Sequence, residues 1–318
     1  MTTRVFLVAA SWVLGCTGCV RTPPPIPAPA NARALDAVLS ELLLDPTLTC
    51  EELRQSFRLE HLELVADPGE LGLDFDEFFV TVDEQTSVRV WDIHAALNRG
   101  TVVFSMGAVA DLSCYLFTAR LLAANGWSVV MYEYRGFGLS TGKPKLDSLD
   151  DDLDAVLDWV LARNGGTPVT LMGLSIGTIP TVSVAVERPG DVNGVILDSP
   201  VALGELLQNF NWILREQTQT FIELAGPGIL SETIIHELRA PMLLLAGDRD
   251  NLTTFASVEL LFERAAGEKT LVTFPGVSHA RARFDDTGRY TFEVETFLSS
   301  IWNQRVPFNA AIDANASP

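Results

Sequence analysis

The chain has 318 residues, of which 47% are hydrophobic, so it is long and apolar enough to bury the core of one large α/β domain. Acidic residues outnumber basic ones by 41 to 22, which gives a formal net charge of −19. This balance argues against a nucleic-acid partner, because binding phosphates requires a basic surface.

The first residues have the pattern of an export signal. Arg4 precedes an apolar run from Val5 to Leu14 that is too short to span a bilayer as a mature helix. The run ends in Val13-Leu14-Gly15-Cys16, which resembles the lipobox of bacterial lipoproteins. We therefore expect residues 1–15 to be a signal peptide and Cys16 to carry a lipid that tethers the protein to a bacterial membrane, on its periplasmic or cell-surface face. Lipidation of Cys19 and an ordinary secretory signal are the alternatives.

A linker and a helical extension are expected before the main domain. Residues 16–33 contain the anchor site and a proline-rich stretch, which favours a stiff, extended spacer. Residues 34–72 are predicted to be mainly helical, with helices over Ala32 to Leu44 and Cys50 to Glu60. We expect these helices to pack on the outside of the sheet, and they show no chemistry of their own.

The cysteines leave two interpretations open. Cys50 and Cys114 could form a disulfide in an exported protein, or they could be small buried residues that lie apart. Cys16 and Cys19 have CxxC spacing, but no second pair or histidine cluster accompanies them, so a zinc site is not expected.

Residues 73–305 are predicted to form one α/β domain, followed by a tail at 306–318. Phe78–Val82 and Ser87–Ile93 favour an antiparallel pair at a sheet edge. After this pair, apolar segments alternate with helical ones, which indicates a mostly parallel sheet covered by helices on both faces. The predicted strands are Thr101–Ser105, Ser128–Tyr132, the segment leading into Ser175, Gly194–Leu197, Met242–Leu245 and Thr270–Phe274, and the predicted helices are Leu112–Asn125, Leu149–Arg163, Thr178–Glu187 and Tyr290–Trp302.

A helical insert at residues 201–238 interrupts this alternation. It leaves the C-terminal end of one predicted strand and returns at the next, and it is rich in apolar side chains. It could consist of connecting helices that pack on the core, or it could be a small cap over a site. We favour the cap, because ligands of open α/β sheets bind at that edge.

A candidate nucleophile lies in Gly173-Leu174-Ser175-Ile176-Gly177, between a predicted strand and a predicted helix. This is the context of a nucleophile elbow, in which a tight turn holds the serine hydroxyl above the sheet edge. The N–H of Ile176 would then lie at a helix N-terminus, where it can bind an oxyanion. The alternative is a plain Gly/Ser loop, since the pentapeptide is common by chance.

A serine nucleophile needs a base, and the base needs a carboxylate to orient it. His279 follows the last predicted strand and therefore fits the chain order Ser, acid, His. Asp250 lies just past a buried strand and is the predicted acid, and Asp198, directly after the preceding strand, is a substitute acid or a helix cap. The N–H of Ala108, in a loop after the strand that ends at Ser105, is the predicted second oxyanion donor.

Taken together, these motifs resemble the α/β-hydrolase superfamily over about Phe75 to Trp302. Tyr134-Arg135-Gly136-Phe137-Gly138-x-Ser140-x-Gly142 is similar to the Tyr-Arg-Gly-x-Gly-x-Ser segment of its serine aminopeptidase-like branch. Two residues depart from the usual pattern. Met106 stands where histidine is usual, and Glu133 stands where aspartate is usual.

The resemblance implies a serine hydrolase that cleaves an ester, thioester or amide bond through an acyl-enzyme. Ser175, His279 and Asp250 would form its catalytic triad, with Ala108 and Ile176 as the oxyanion hole. It implies no metal or cofactor, and its partners would be a small-molecule or acyl substrate and the membrane surface. The alternatives are a non-catalytic binding or scaffold protein that keeps the fold, and an acyltransferase.

Overall fold

The computed structural model describes residues 32–56, 64–209, 218–224 and 227–305. The predicted signal peptide, the lipidation site Cys16, most of the linker and the tail lie outside the described residues. So do the end of the second predicted helix and the middle of the insert. Within the described ranges, no helix is both long enough and apolar enough to cross a membrane.

An eight-stranded sheet forms the centre of the domain, in the order β1-β2-β4-β3-β5-β6-β7-β8. Its strands are β1 (Asp74–Thr81), β2 (Ser87–His94), β3 (Thr101–Ser105), β4 (Ser128–Tyr132), β5 (Val169–Leu174), β6 (Gly194–Asp198), β7 (Met242–Gly247) and β8 (Lys269–Phe274). The pairs β1–β2 and β2–β4 are antiparallel, and the remaining pairs are parallel. Every residue of β3 to β7 is buried, and since successive side chains point to opposite faces, both faces of the sheet are covered. The predicted fold class is confirmed.

The helices that connect these strands follow the predicted alternation. They are α1 (Ala32–Leu43), α2 (Cys50–Ser56), α3 (Leu116–Ala124), α4 (Leu149–Leu161), α5 (Thr178–Glu187), α6 (Leu203–Asn209), α7 (Thr218–Leu224), α8 (Ser231–Ile234), α9 (Phe255–Arg264) and α10 (Arg289–Arg305). Helix α9 was not anticipated from the sequence, although Thr254 caps it by accepting a hydrogen bond from the N–H of Ser257. The predicted helix over Leu112–Asn125 begins instead with a 3-10 turn, Leu112–Tyr115.

The N-terminal extension is packed into the same hydrophobic core as the sheet. Its core residues are Leu39, Leu43, Leu44 and Leu48. Ser40 Oγ accepts a hydrogen bond from the N–H of Leu146 at 2.8 Å. Cys50 and Cys114 form a disulfide, with their Cα atoms 5.3 Å apart. The extension is therefore bound to the domain by packing, by hydrogen bonds and by a covalent bond.

Candidate active site

Ser175 follows β5 directly and has a left-handed backbone conformation, with φ at 54°. A short 3-10 turn, Ser175–Gly177, then leads into α5. A left-handed φ costs about 1–2 kcal/mol for a residue that carries a Cβ, and such strain is concentrated at functional sites. The chain thus makes the sharp strand–turn–helix that the pentapeptide predicts, and Ser175 is only half-buried on it.

This turn requires glycine at two positions, because the surrounding atoms leave no space for a side chain there. A Cβ on Gly173 would lie 2.4 Å from the carbonyl oxygen of Gly177 and 2.6 Å from Thr181 Oγ1. A Cβ on Gly177 would lie 2.3 Å from the carbonyl oxygen of Ser105 and 2.5 Å from that of Met106. Gly177 therefore lets the turn pack against the main chain of the loop that follows β3.

His279 lies between Ser175 and Asp250. Its Nε2 is 2.9 Å from Ser175 Oγ, and its Nδ1 is 2.7 Å from Asp250 Oδ2. The three residues follow β5, β7 and β8, so the C-terminal ends of parallel strands bring them to one edge of the sheet. Asp250 and His279 are both buried, which shields their pair from water.

The carboxylate of Asp250 is held by its own loop. Oδ1 accepts the N–H groups of Leu252 and Thr253 at 2.9 and 2.8 Å, and Oδ2 accepts the hydroxyl of Thr253 at 2.6 Å. Burial alone would raise the pKa of Asp250, but the charge of His279 and these hydrogen bonds together lower it below its usual value. An ionised Asp250 favours the proton on Nδ1 of His279, which leaves Nε2 free to accept from Ser175.

The predicted oxyanion donors lie on two neighbouring turns. Ile176 follows Ser175 in the first helical turn, where an N–H has no intrahelical acceptor. Ala108 lies in the loop Met106–Ala110, which we call the β3 loop. Gly177 packs against the start of this loop, so the two turns are in contact.

The β3 loop is held through its main chain. Tyr134 donates its hydroxyl to the carbonyl oxygen of Met106 at 2.7 Å, and Tyr115 donates its hydroxyl to that of Val109 at 2.7 Å. The side chain of Met106, which stands where the resemblance expects histidine, is fully buried. Met106 thus contributes apolar packing where the resemblance expects a polar side chain, and two tyrosine hydroxyls support the loop.

A second buried network supports the loop that carries His279. Ala280 donates its N–H to Ser199 Oγ at 3.0 Å, Ser199 donates its hydroxyl to Asp198 Oδ1 at 3.2 Å, and Tyr290 donates its hydroxyl to Asp198 Oδ2 at 2.9 Å. Burial raises the pKa of Asp198, against the opposing effects of Arg283 and Tyr290. Asp198 thus accepts hydrogen bonds from Ser199 and Tyr290. The carboxylate within hydrogen-bond distance of His279 is that of Asp250.

Glu133, the other departure from the resemblance, directly follows β4 and is fully buried. Its Oε2 accepts the N–H of Leu139 at 2.7 Å, and Arg89 Nη1 lies 3.5 Å from its Oε1. Gly138 has φ at 47°, and a Cβ there would lie 2.1 Å from Glu133 Oε1. Glu133 therefore supports the turn of the Tyr-Arg-Gly segment.

Comparison with known proteins finds similar sequences over part of the chain and a similar fold over most of it. A family model described as serine aminopeptidase, S33, matches residues 96–229. Alpha/beta hydrolase domain-containing protein 17C of Xenopus tropicalis is 30% identical over 188 residues, which cover 57% of this chain and 56% of that protein. An uncharacterised protein of Mycobacterium tuberculosis is 30% identical over 209 residues, covering 63% of this chain and 71% of that protein. An esterase of Pyrococcus furiosus has a TM-score of 0.64 at 18% identity, covering 75% of this chain and 96% of the esterase.

The sheet order, the strained serine turn and these matches define an α/β-hydrolase fold. The chain has the α/β-hydrolase fold, as its motifs predict, and residues 96–229 match the serine aminopeptidase, S33, family model. It spans only about half the length of the 17C relative, and the likeness to the esterase concerns the fold alone.

Proposed function

We propose that the protein is a serine hydrolase that cleaves an ester, thioester or amide bond through an acyl-enzyme on Ser175. The observation that carries the proposal is the position of His279, within hydrogen-bond distance of both Ser175 Oγ and Asp250 Oδ2. A hydroxyl, an imidazole and a carboxylate in this order can generate a nucleophile at neutral pH. The family match supports a hydrolytic activity.

In the first half-reaction, Ser175 Oγ attacks the substrate carbonyl while His279 Nε2 takes the hydroxyl proton. Asp250 stabilises the imidazolium that forms and keeps the ring in place. The N–H groups of Ala108 and Ile176 bind the oxyanion, and loss of one such donor typically costs about 3 kcal/mol of transition-state stabilisation. His279 then gives its proton to the leaving group.

In the second half-reaction, water replaces the leaving group. His279 takes a proton from the water as it attacks the acyl carbonyl. It then gives this proton to Ser175 Oγ as the tetrahedral intermediate collapses, which releases the acid and restores the free enzyme. The reaction needs no group beyond these side chains and main-chain donors. We propose an acyl or otherwise apolar substrate, because the sequence of the insert at residues 201–238, which follows β6, is rich in apolar residues.

Hydrolysis of a series of p-nitrophenyl esters with increasing acyl length tests this function. We expect turnover that Ser175→Ala abolishes, with an optimum length that reports the depth of the acyl pocket. A folded wild-type protein that neither hydrolyses these esters nor reacts at Ser175 would favour the scaffold alternative. Acyl transfer to an added alcohol at the expense of free acid would favour the acyltransferase.

We also propose that the protein is exported and anchored to a bacterial membrane by a lipid on Cys16. The apolar run Val5 to Leu14 and the cysteine that follows it support this proposal. Metabolic labelling with palmitate is expected in the wild type and should be lost in Cys16→Ser. Label that persists in this variant would point to Cys19, and a wild type without label would point to an ordinary secretory signal.

A further inference from the structure

The N-terminal extension contacts the β3 loop directly. Asp45 donates its main-chain N–H to the carbonyl oxygen of Ala108 at 2.9 Å, and its own carbonyl oxygen accepts the N–H of Ala110 at 3.3 Å. Asp45 and Val109 form an isolated parallel β-bridge. A segment that precedes the sheet by almost thirty residues therefore pairs with the loop that carries a proposed oxyanion donor.

We propose that Asp45–Cys50, which we call the N-terminal clamp, positions the N–H of Ala108 for oxyanion binding and is locked in place by the Cys50–Cys114 disulfide. The inference rests on the function proposed above. It assigns to the clamp a positioning role in that reaction, with no contact to the substrate.

The geometry of Ala108 explains how the clamp acts. The N–H and the carbonyl group of Ala108 lie on consecutive peptide planes that meet at its Cα atom, so a bond to the carbonyl restrains the rotation between them. Ala110, at the end of the loop, has a left-handed φ of 64°, which its surroundings must stabilise. The two hydrogen bonds of Asp45 lie on either side of Val109 and therefore hold both ends of this strained stretch.

The clamp is itself well fixed. Leu44 and Leu48 are buried on either side of Asp45. Asp45 Oδ1 accepts the N–H and the hydroxyl of Thr47 at 3.0 and 2.6 Å. Thr49 then begins α2 with a capping box, because its N–H donates to Glu52 Oε2 at 2.9 Å and its Oγ1 accepts the N–H of Glu52 at 3.2 Å.

The disulfide joins two supports of the same loop. Cys50 ends the clamp, and Cys114 immediately precedes Tyr115, whose hydroxyl binds the carbonyl oxygen of Val109 at 2.7 Å. Val109 thus lies between the clamp and the Tyr115 ring, and the disulfide ties these two together. Reduction would leave the clamp held by packing and hydrogen bonds alone.

A displaced oxyanion donor weakens the transition state more than the bound substrate, so the effect should appear in kcat and not in KM. Loss of a whole donor typically costs roughly 10²–10³-fold in kcat. For a loosened clamp we expect kcat to fall by about tenfold or more, with KM changed by less than about twofold. A trifluoromethyl ketone that forms an oxyanion on Ser175 should bind more weakly by a similar factor.

The first test compares the oxidised wild type with Cys50→Ala/Cys114→Ala and with the wild type reduced by a phosphine, all well below their Tm. We expect both treatments to lower kcat and ketone affinity while KM holds. Reoxidation should restore the kcat and the ketone affinity of the wild type, and treatment with the phosphine should change neither quantity in the double variant. Equal kcat with and without the disulfide, or a kcat loss without weaker ketone binding, would overturn the inference.

A second pair of variants acts on the clamp without touching the cysteines. Asp45→Pro removes the N–H that binds Ala108, whereas Asp45→Ala keeps both main-chain hydrogen bonds. Among folded variants, we expect the proline substitution to lower kcat and ketone affinity more than the alanine substitution. Equal effects would contradict the role of the clamp.

The two proposals fail in different ways. If the oxidised wild type shows no Ser175-dependent turnover, the proposed function is wrong. If turnover depends on Ser175 but kcat is the same in the clamp variants and after reduction, only this inference is wrong.

Discussion

Ala280 donates its main-chain N–H to Ser199 Oγ at 3.0 Å and so joins the loop that carries His279 to the end of β6. Both residues have a left-handed backbone, with φ at 55° for Ala280 and 50° for Ser199. The imidazole is therefore held from two sides, by Asp250 at the ring and by Ser199 through the next residue of the chain. The position of His279 depends on a strained joint between two loops.

Ser199→Ala and Ser199→Gly should separate the contribution of the hydroxyl from that of the strain. Both remove the acceptor of the Ala280 N–H, and an unsatisfied buried donor costs about 1–3 kcal/mol in the free energy of unfolding. Glycine also relieves the left-handed strain, so Ser199→Gly should be the more stable variant by about 1 kcal/mol. Urea denaturation measures both differences. An alanine variant as stable as the wild type would show that the joint does not contribute.

Asp198→Asn should change how stability depends on pH. Because burial raises the pKa of Asp198, this carboxyl group keeps a proton in the folded protein that it releases at about pH 3.9 in the unfolded chain. Above that pH, and until the folded carboxyl also ionises, this group lowers the free energy of unfolding as the pH rises. The variant lacks this loss, so its stability relative to the wild type should increase with pH.

Urea denaturation of both proteins from about pH 4 to about pH 8 tests this dependence. Titratable groups that do not interact with Asp198 contribute equally to both proteins, so they cancel in the difference between the two free energies of unfolding. The prediction would be wrong if this difference in the free energy of unfolding did not change with pH, or if the wild type became more stable relative to the variant as the pH rises.

Gly177→Ala should disturb both proposed oxyanion donors at once. The added Cβ would meet the carbonyl oxygens of Ser105 and Met106 at 2.3 and 2.5 Å, which are main-chain atoms that cannot turn away. We expect kcat to fall by roughly 10²–10³-fold, the cost of a lost donor. Gly190→Ala is the matched control, because nothing lies within 4 Å of its Cβ position. Steady-state kinetics should show near wild-type activity for the control; similar losses in both would contradict the packing argument.

Asp250→Asn should remove most of the activity without unfolding the protein. An amide in place of the carboxylate no longer fixes the Nδ1 proton or stabilises the imidazolium, and such a change lowers kcat by about 10⁴-fold in serine hydrolases of this mechanism. Asp248→Asn is the control, because the Asp248 side chain accepts the exposed N–H of Gly276 at 2.6 Å and, among the described residues, makes no hydrogen bond to the triad candidates. If the Asp248 variant lost as much kcat as the Asp250 variant, the assignment of the acid would be wrong.

The sheet and the triad candidates could be predicted because each rests on local signals. Buried strands are short apolar runs, and parallel strands end at one edge, so Ser175, Asp250 and His279 could be placed together from chain order alone. The glycines of the pentapeptide gave the same kind of signal, since tight turns constrain residue type locally.

The supporting contacts could not be predicted, because they depend on tertiary proximity. Ser199 meets Ala280 across 81 positions of the chain, and Tyr290 meets Asp198 across 92. The separation of 64 residues between Cys50 and Cys114 carries no information on their distance in space. The main-chain bond between Asp45 and Ala108 involves no side chain at all, so no residue type marks it.

The function proposed for this protein requires His279 to activate Ser175 as a nucleophile. Mass spectrometry of the intact protein after reaction with a fluorophosphonate, followed by peptide mapping, tests it most directly. We predict a single adduct on Ser175 that is absent in Ser175→Ala and forms far more slowly in His279→Ala. A folded wild-type protein that stays unlabelled, or that is labelled equally well after either substitution, would contradict the account.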